Sequence, residues 1–154
     1  MLTRPTTEQI LLDLRDELLT TVDGAVESPP VKIAIQMMEN VLRNCAERAA
    51  HEIAWMREEG DAMVAFAREV DQTLPGNSAV DSALGAFNSG RSESLHLDDV
   101  SATYSLAGHC FSAALEHAVA QNHVALHLKA RSILDLRLEH ENRIKGEWAF
   151  VGRA

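Results

Sequence analysis

Seven histidines, two cysteines and several carboxylates carry whatever chemistry this chain could perform. His109, Glu116, His123 and His127 fall on one side of a helical pattern. At about 1.5 Å of rise per residue, neighbours seven apart are about 10 Å from each other, too far for one ion to bridge. Only His123 and His127, at i and i+4, could chelate together, and a metal would need a third ligand from elsewhere. They stand as weak candidates beside an expectation of no metal and no cofactor. Cys45 and Cys110 lie in apolar helical patterns without C-x-x-C spacing and read as buried reduced thiols. His109 and Cys110 are sequence neighbours on a helix, so their side chains diverge and form no nucleophile–base pair.

Gly85-Ala-Phe-Asn-Ser-Gly90-Arg91-Ser92 matches the glycine spacing of a phosphate-binding loop. It has arginine where lysine is needed and no strand leading into it, so it reads as a small-residue loop. Glu93-Ser-Leu-His96 is the single E-x-x-H motif, whereas a carboxylate di-iron bundle needs two on different helices. These failures predict a non-catalytic protein. Asn44, Arg48, His51 and Glu52 form a polar cluster beside an apolar patch that includes Trp55, either an internal hydrogen-bond network or a recognition surface in which Arg48 and Trp55 are the hot-spot types.

Helices must position these residues. Aromatics are only 5% of the 154 residues, which disfavours a β-sandwich and predicts an all-α, single-domain bundle of about five helices over 1–154. Thr6-x-x-Gln9 has capping-box spacing, and Ile10, Leu11, Leu14, Leu18 and Val22 follow at helical intervals. Asp23-Gly24 ends that helix, and Ser28-Pro29-Pro30 predicts an extended turn. A second helix over Val31 to Glu59 carries the stripe Val31, Ala34, Ile35, Met38, Leu42, Cys45, Ala49, Ile53 and Met56. A second patch of Met37, Val41 and Trp55 predicts neighbours on two sides. Gly60 ends this helix and Asp61 caps another, with Met63, Val64, Phe66, Ala67 and Val70 facing inward. A short helix over Ser78 to Phe87 buries Val80, Leu84 and Phe87, and a flexible link spans 88–97.

Asp98 or Asp99 caps a helix to about Asn122 with Val100, Tyr104, Ala107, Phe111, Leu115 and Ala118 in one sector. From 123 the pattern stays helical, but Leu126, Leu128, Ile133, Leu134, Leu136 and Leu138 run nearly all round the axis, as expected of a surface shared with another chain. Trp148 and Phe150 in the tail should dock as well. Residues 123–154 are therefore an interface candidate.

Charge excludes some partners. The net charge is −9, with 7 basic against 14 acidic residues in 1–76. Such a surface repels phosphate backbones and anionic lipid, so neither nucleic acid nor membrane is expected. No run approaches the ~20 apolar residues of a membrane span, and the N-terminus lacks an apolar signal region, which predicts a cytoplasmic protein.

Arg4-Pro5-Thr6 before an acidic helix, then VKIAIQMMENVLRNCAERAAHEIAWM with Asn40, Asn44, Arg48 and Glu52, resembles a bacterial family of small helical proteins of uncharacterised function. Its members are encoded beside aminoglycoside-phosphotransferase-like kinases and acyl-CoA dehydrogenases. The resemblance covers residues 4–70. It implies a non-catalytic accessory protein that stabilises or activates a phosphotransferase-like kinase of hydroxyacyl-CoA catabolism. Self-association through 120–140 is the homodimeric version. Another reading is a small-molecule bundle holding an acyl or aromatic ligand between the second helix and the 98–122 helix, with Met37, Met38, Met56 and Met63 as a pliable lining. A metal-dependent enzyme using His123 and His127 is the remaining one.

Overall fold

The computed structural model describes residues 4–146, and these form an all-α bundle of five helices without strands. They are α1 (Thr7–Glu17), α2 (Pro29–Thr73), α3 (Ser78–Gly90), α4 (Leu97–Ala120) and α5 (Val124–Lys145). The Trp148 and Phe150 expectations lie outside the described residues. No helix among them is long and apolar enough to cross a membrane. The chain divides into two compact units, Ile53–Glu139 and a smaller one of Met1–Glu52 with His140–Ala154.

The core belongs to the larger unit. Met63, Val64, Phe66, Ala67 and Val70 of α2 meet Val80, Leu84 and Phe87 of α3, Ala107, Cys110, Phe111, Ala114 and Ala118 of α4, and Leu126, Ala130 and Ile133 of α5. Phe66 and Phe111 pack as a tilted pair with ring centroids 5.4 Å apart. Sequence periodicity located most of this face. Cys110, expected as a buried thiol, is buried, and Ala114, which the stripe left out, borders the sector that Phe111 and Ala118 define.

The largest departure is at Gly60, which does not end a helix: α2 runs through it for 45 residues. The residue is buried where α4 comes closest, and a Cβ there would lie 3.7 Å from the Ala107 Cβ and 3.9 Å from the Tyr104 Cδ2. Glycine therefore marks a close helix approach, not a stop, and Asp61 is an exposed interior residue. Those distances are ordinary contacts. Gly60→Ala should therefore raise stability by roughly 0.5–1 kcal/mol through lost unfolded-state entropy and better helix propensity, read as a higher urea midpoint. Gly60→Leu should lower it by overpacking.

Pro29 and Pro30 open α2 and do not form an extended turn. Proline fits the first helical turn because its missing N–H has no partner there anyway. The Ser28 carbonyl accepts from the Val31 and Lys32 amides at 3.1 and 3.0 Å.

The expected small-residue loop at 85–90 is helix. Asn77 caps it by accepting from the Ala79 and Val80 amides. A Cβ at Gly90 would come within 2.9 Å of the Leu106 Cδ1, the far end of a side chain that would have to shift. The connection to α4 thus shortens from 88–97 to 91–96. Hydroxyls stitch it: the Ser92 amide donates to Thr103, the Ser94 amide to Ser92 and the His96 amide to Ser94. α4 starts after His96 without a side-chain cap, so Asp98 and Asp99 sit inside its first turn, where carboxylates favour the helix dipole.

The smaller unit is built differently. Thr6 and Gln9 form the capping box reciprocally. α1 then continues as a π-helical turn, Leu18–Val22, and a last turn, Asp23–Ala25. No residue of α1 is buried. Arg15 Nε donates to Glu39 of α2 at 2.6 Å. Ile35 and Ala46 are buried, but Met38 and Cys45 of the predicted stripe are exposed. The expectation of a buried Cys45 is overturned because no described helix packs on its side of α2, whereas Cys110 is enclosed by the core.

Candidate functional site

The cluster on α2 separates by helix face. Asn44 and His51 point toward the end of α5. With its side-chain amide turned so that the nitrogen faces both acceptors, Asn44 donates to the Asn40 and Ile144 carbonyls at 3.1 and 2.5 Å. Arg143 lies 3.5 Å from His51 Nε2 and 3.6 Å from Glu47 Oε2. Arg43 donates to the Lys145 carbonyl at 2.7 Å, satisfying a terminal group that α5 leaves open. Gly146 follows with φ +58 and closes the helix in the left-handed region. This half of the cluster is an internal hydrogen-bond network that holds α5's last turn on α2.

The other half faces water. Arg48 pairs with Glu52 of its own helix at 2.8 Å, and Arg48 is exposed. Trp55 is buried, so the proposed row of five does not form one continuous surface.

His123 and His127 close the turn between α4 and α5. Asn122 adopts φ 53, the left-handed position that ends α4. His123 Nδ1 accepts from the Leu126 amide at 3.3 Å, and His127 Nε2 donates to the Ala118 carbonyl at 3.1 Å. One nitrogen of each ring is thereby committed to backbone capping. Among the described residues no three His, Cys, Asp or Glu side chains are grouped to hold a metal ion.

A cleft of about 100 Å³ opens between Met56, Gly60 and Asp61 of α2, the 91–94 connection, and Thr103 and Tyr104 of α4. Ligand pockets run from about 300 Å³ upward, so this one has room for water or a single small group, not an acyl chain. Met56 lines it, while Met63 is core and Met37 and Met38 are exposed, so the four methionines share no lining.

Sequence reasoning missed the polar group next to this cleft. Glu59, 6% exposed, accepts from the Tyr104 hydroxyl at 2.5 Å and lies 3.5 Å from Arg137 Nε. The Arg137 guanidinium sits 5.8 Å from the Tyr104 ring centroid. Had α2 been read as continuous, Glu59 would have stood out, since it falls between Met56 and Met63 on the buried sector. Burial, then the Glu59 hydrogen bond and charge, push the Tyr104 phenol up to about 12. A phenol that resists ionisation is a poor base at neutral pH, so the triad reads as structural pairing. Tyr104 is the chain's single tyrosine, so its titration can be followed directly by phenolate absorbance. The folded protein should titrate near 12, two units above a free phenol. The sign follows: with the folded value raised, stability is unaffected below about pH 10 and falls between 10 and 12. A midpoint near 10 in protein still folded by circular dichroism would contradict this placement.

On α5, Leu126, Ala130 and Ile133 enter the core, while Val124, Leu128, Leu134 and Leu138 are exposed, Leu128 by 63% and Leu138 by 54%. The leucines that encircle this helix thus divide between core and water. Compared with known proteins, the chain matches no family model, no curated protein and no solved structure.

Proposed function

We propose that this protein is a non-catalytic accessory subunit that binds a phosphotransferase-like kinase, with the outer face of α5 as the docking surface. The observation that carries the reading is the row of exposed aliphatic side chains, Val124, Leu128, Leu134 and Leu138, on a helix whose opposite side is already core. Large apolar side chains left in water on one helix face mark a place where another surface belongs. Arg131 and Asp135 pair loosely across 3.9 Å within that face and give it a polar element without net charge. The kinase as partner rests on the resemblance of residues 4–70 to helical proteins encoded beside such enzymes. The protein's work in this reading is to stabilise or activate the kinase in hydroxyacyl-CoA catabolism, in the cytoplasm.

Co-expression with a phosphotransferase-like kinase and affinity purification test the reading. The wild-type chain should retain the kinase, and Leu128→Glu with Leu138→Glu should release it while leaving the helical circular dichroism unchanged. A folded wild-type chain that never retains the kinase overturns it.

A further inference from the structure

α2 carries one stripe at alternating three- and four-residue spacing along most of its length. From Trp55 through Glu59, Met63, Phe66 and Val70 that stripe is buried. Toward the N-terminus the same spacing continues through Glu52, Arg48, Cys45, Val41, Met38, Ala34 and Val31. There it is open: Val31 is 44%, Met38 49% and Val41 58% exposed, with Ile33 at 59% and Met37 at 60% alongside. Ala34, Cys45 and Arg48 are exposed as well. A 3-4 repeat of apolar residues is the pattern that seats one helix against another.

Among the described residues, the neighbours of α2 in the smaller unit leave this stripe uncovered. α1 reaches α2 through Arg15 and Glu39, and the end of α5 through Asn44 and Arg43. These side chains lie to either side of the stripe. Among the described residues of the unit, Ile35 and Ala46 are the apolar side chains that α2 buries.

We propose that residues 31–48 of α2 form the seam of a homodimer, the open stripe of one chain packing against that of a second copy. Two features favour a second copy over an unrelated partner. First, charge: in a chain of net −9, like copies repel over most of their surface. The stripe carries no charged residue from Val31 to Cys45, and Arg48 at its end is balanced by Glu52 at 2.8 Å. It is thus a place where two identical acidic chains meet without like-charge contact. Second, extent: Val31, Ile33, Met37, Met38 and Val41, on and beside the seam, are each between 44% and 60% exposed, a run of large apolar side chains of the kind that marks an interaction surface. The seam is distinct from the α5 face and from the 120–140 segment that sequence reasoning favoured for self-association. The inference extends the interaction role argued above but names a different surface.

Cys45 sits on the seam and reports on it, because Cys110, the other thiol, is enclosed by the core and its ionisation is pushed up by burial. The test combines light scattering on the full-length protein with maleimide labelling across a concentration series. The expected result is a dimeric mass in the micromolar range, with Cys45 labelling at least about tenfold slower in concentrated than in dilute protein. Met38→Glu and Val41→Lys, both at exposed positions, should each return the mass to a monomer, abolish the concentration dependence and keep the helical circular dichroism. A monomer at every concentration, or a dimer that survives both substitutions, overturns the proposal. Kinase retention by the monomeric variants is read separately. A dimer that never retains the kinase sinks the accessory reading alone, and a monomer that does retain it sinks the seam alone.

Discussion

Phe66→Ala is expected to lower the unfolding free energy by about 4 kcal/mol, within the range for removing a buried aromatic. Phe66 is the largest fully buried side chain among the described residues. Its ring meets Phe111 at 5.4 Å, so truncation removes both its own burial and the tilted aromatic pair. Its cluster includes Met63 and Val70 of α2 and Cys110 and Ala114 of α4, on two separate long helices that cannot move inward by the width of a ring without disturbing their other contacts. Most of the cavity should therefore persist, which is what places the cost toward the upper end. Against the 5–15 kcal/mol typical of a whole domain, such a loss takes roughly a quarter to four-fifths of the stability and should lower the urea midpoint by about 1.5–4 M. Phe66→Leu, which retains most of the volume, should cost about a third as much. A Phe66→Ala variant with a wild-type midpoint would mean that the α2–α4 packing described here is wrong.

The second large effect is expected at Glu59. Glu59→Ala should cost about 2–3 kcal/mol in urea unfolding, below the 3–5 seen when a fully buried pair is broken. The discount reflects Arg137, whose side chain keeps 35% of its exposure and can hydrate once its partner is gone. Tyr104 cannot do so as easily, and its hydroxyl loses its acceptor. A second readout separates this from simple loss of packing. Since Glu59 contributes to raising the Tyr104 phenol, its removal should bring that titration down from about 12 toward 10, stopping short because burial remains the larger cause. Tyr104→Phe should cost less, about 1 kcal/mol, because it leaves the Glu59–Arg137 ion pair in place. If Glu59→Ala left both the midpoint and the tyrosine titration unchanged, the triad would not be a unit.

How far the candidate surfaces could be read in advance differs between helices. On α3 the short helix and its inward residues Val80, Leu84 and Phe87 were legible, because three large apolar residues at helical spacing in a Gly- and Ser-rich segment admit one arrangement. On α5 the leucines gave no direction, since they occupy nearly every side of the helix. Only packing against α2, α3 and α4 decides that Leu126 and Ile133 are core while Leu128 and Leu138 face water. On α2 the stripe was legible but its fate was not.

By itself the sequence determined that this chain is helical, where the helices with strong periodicity lie, and that its familiar catalytic patterns fail. Helical period and capping are local properties, set by residues within a turn or two of each other. Tertiary structure alone decided that Gly60 continues a helix, because its meaning depends on Ala107 and Tyr104, more than forty positions away in sequence and within 4 Å in space. It also decided which turns of the α2 stripe have neighbours. An apolar residue carries the same preference for burial at Val41 as at Phe66, and only the placement of the other helices determines which of the two is satisfied within the chain.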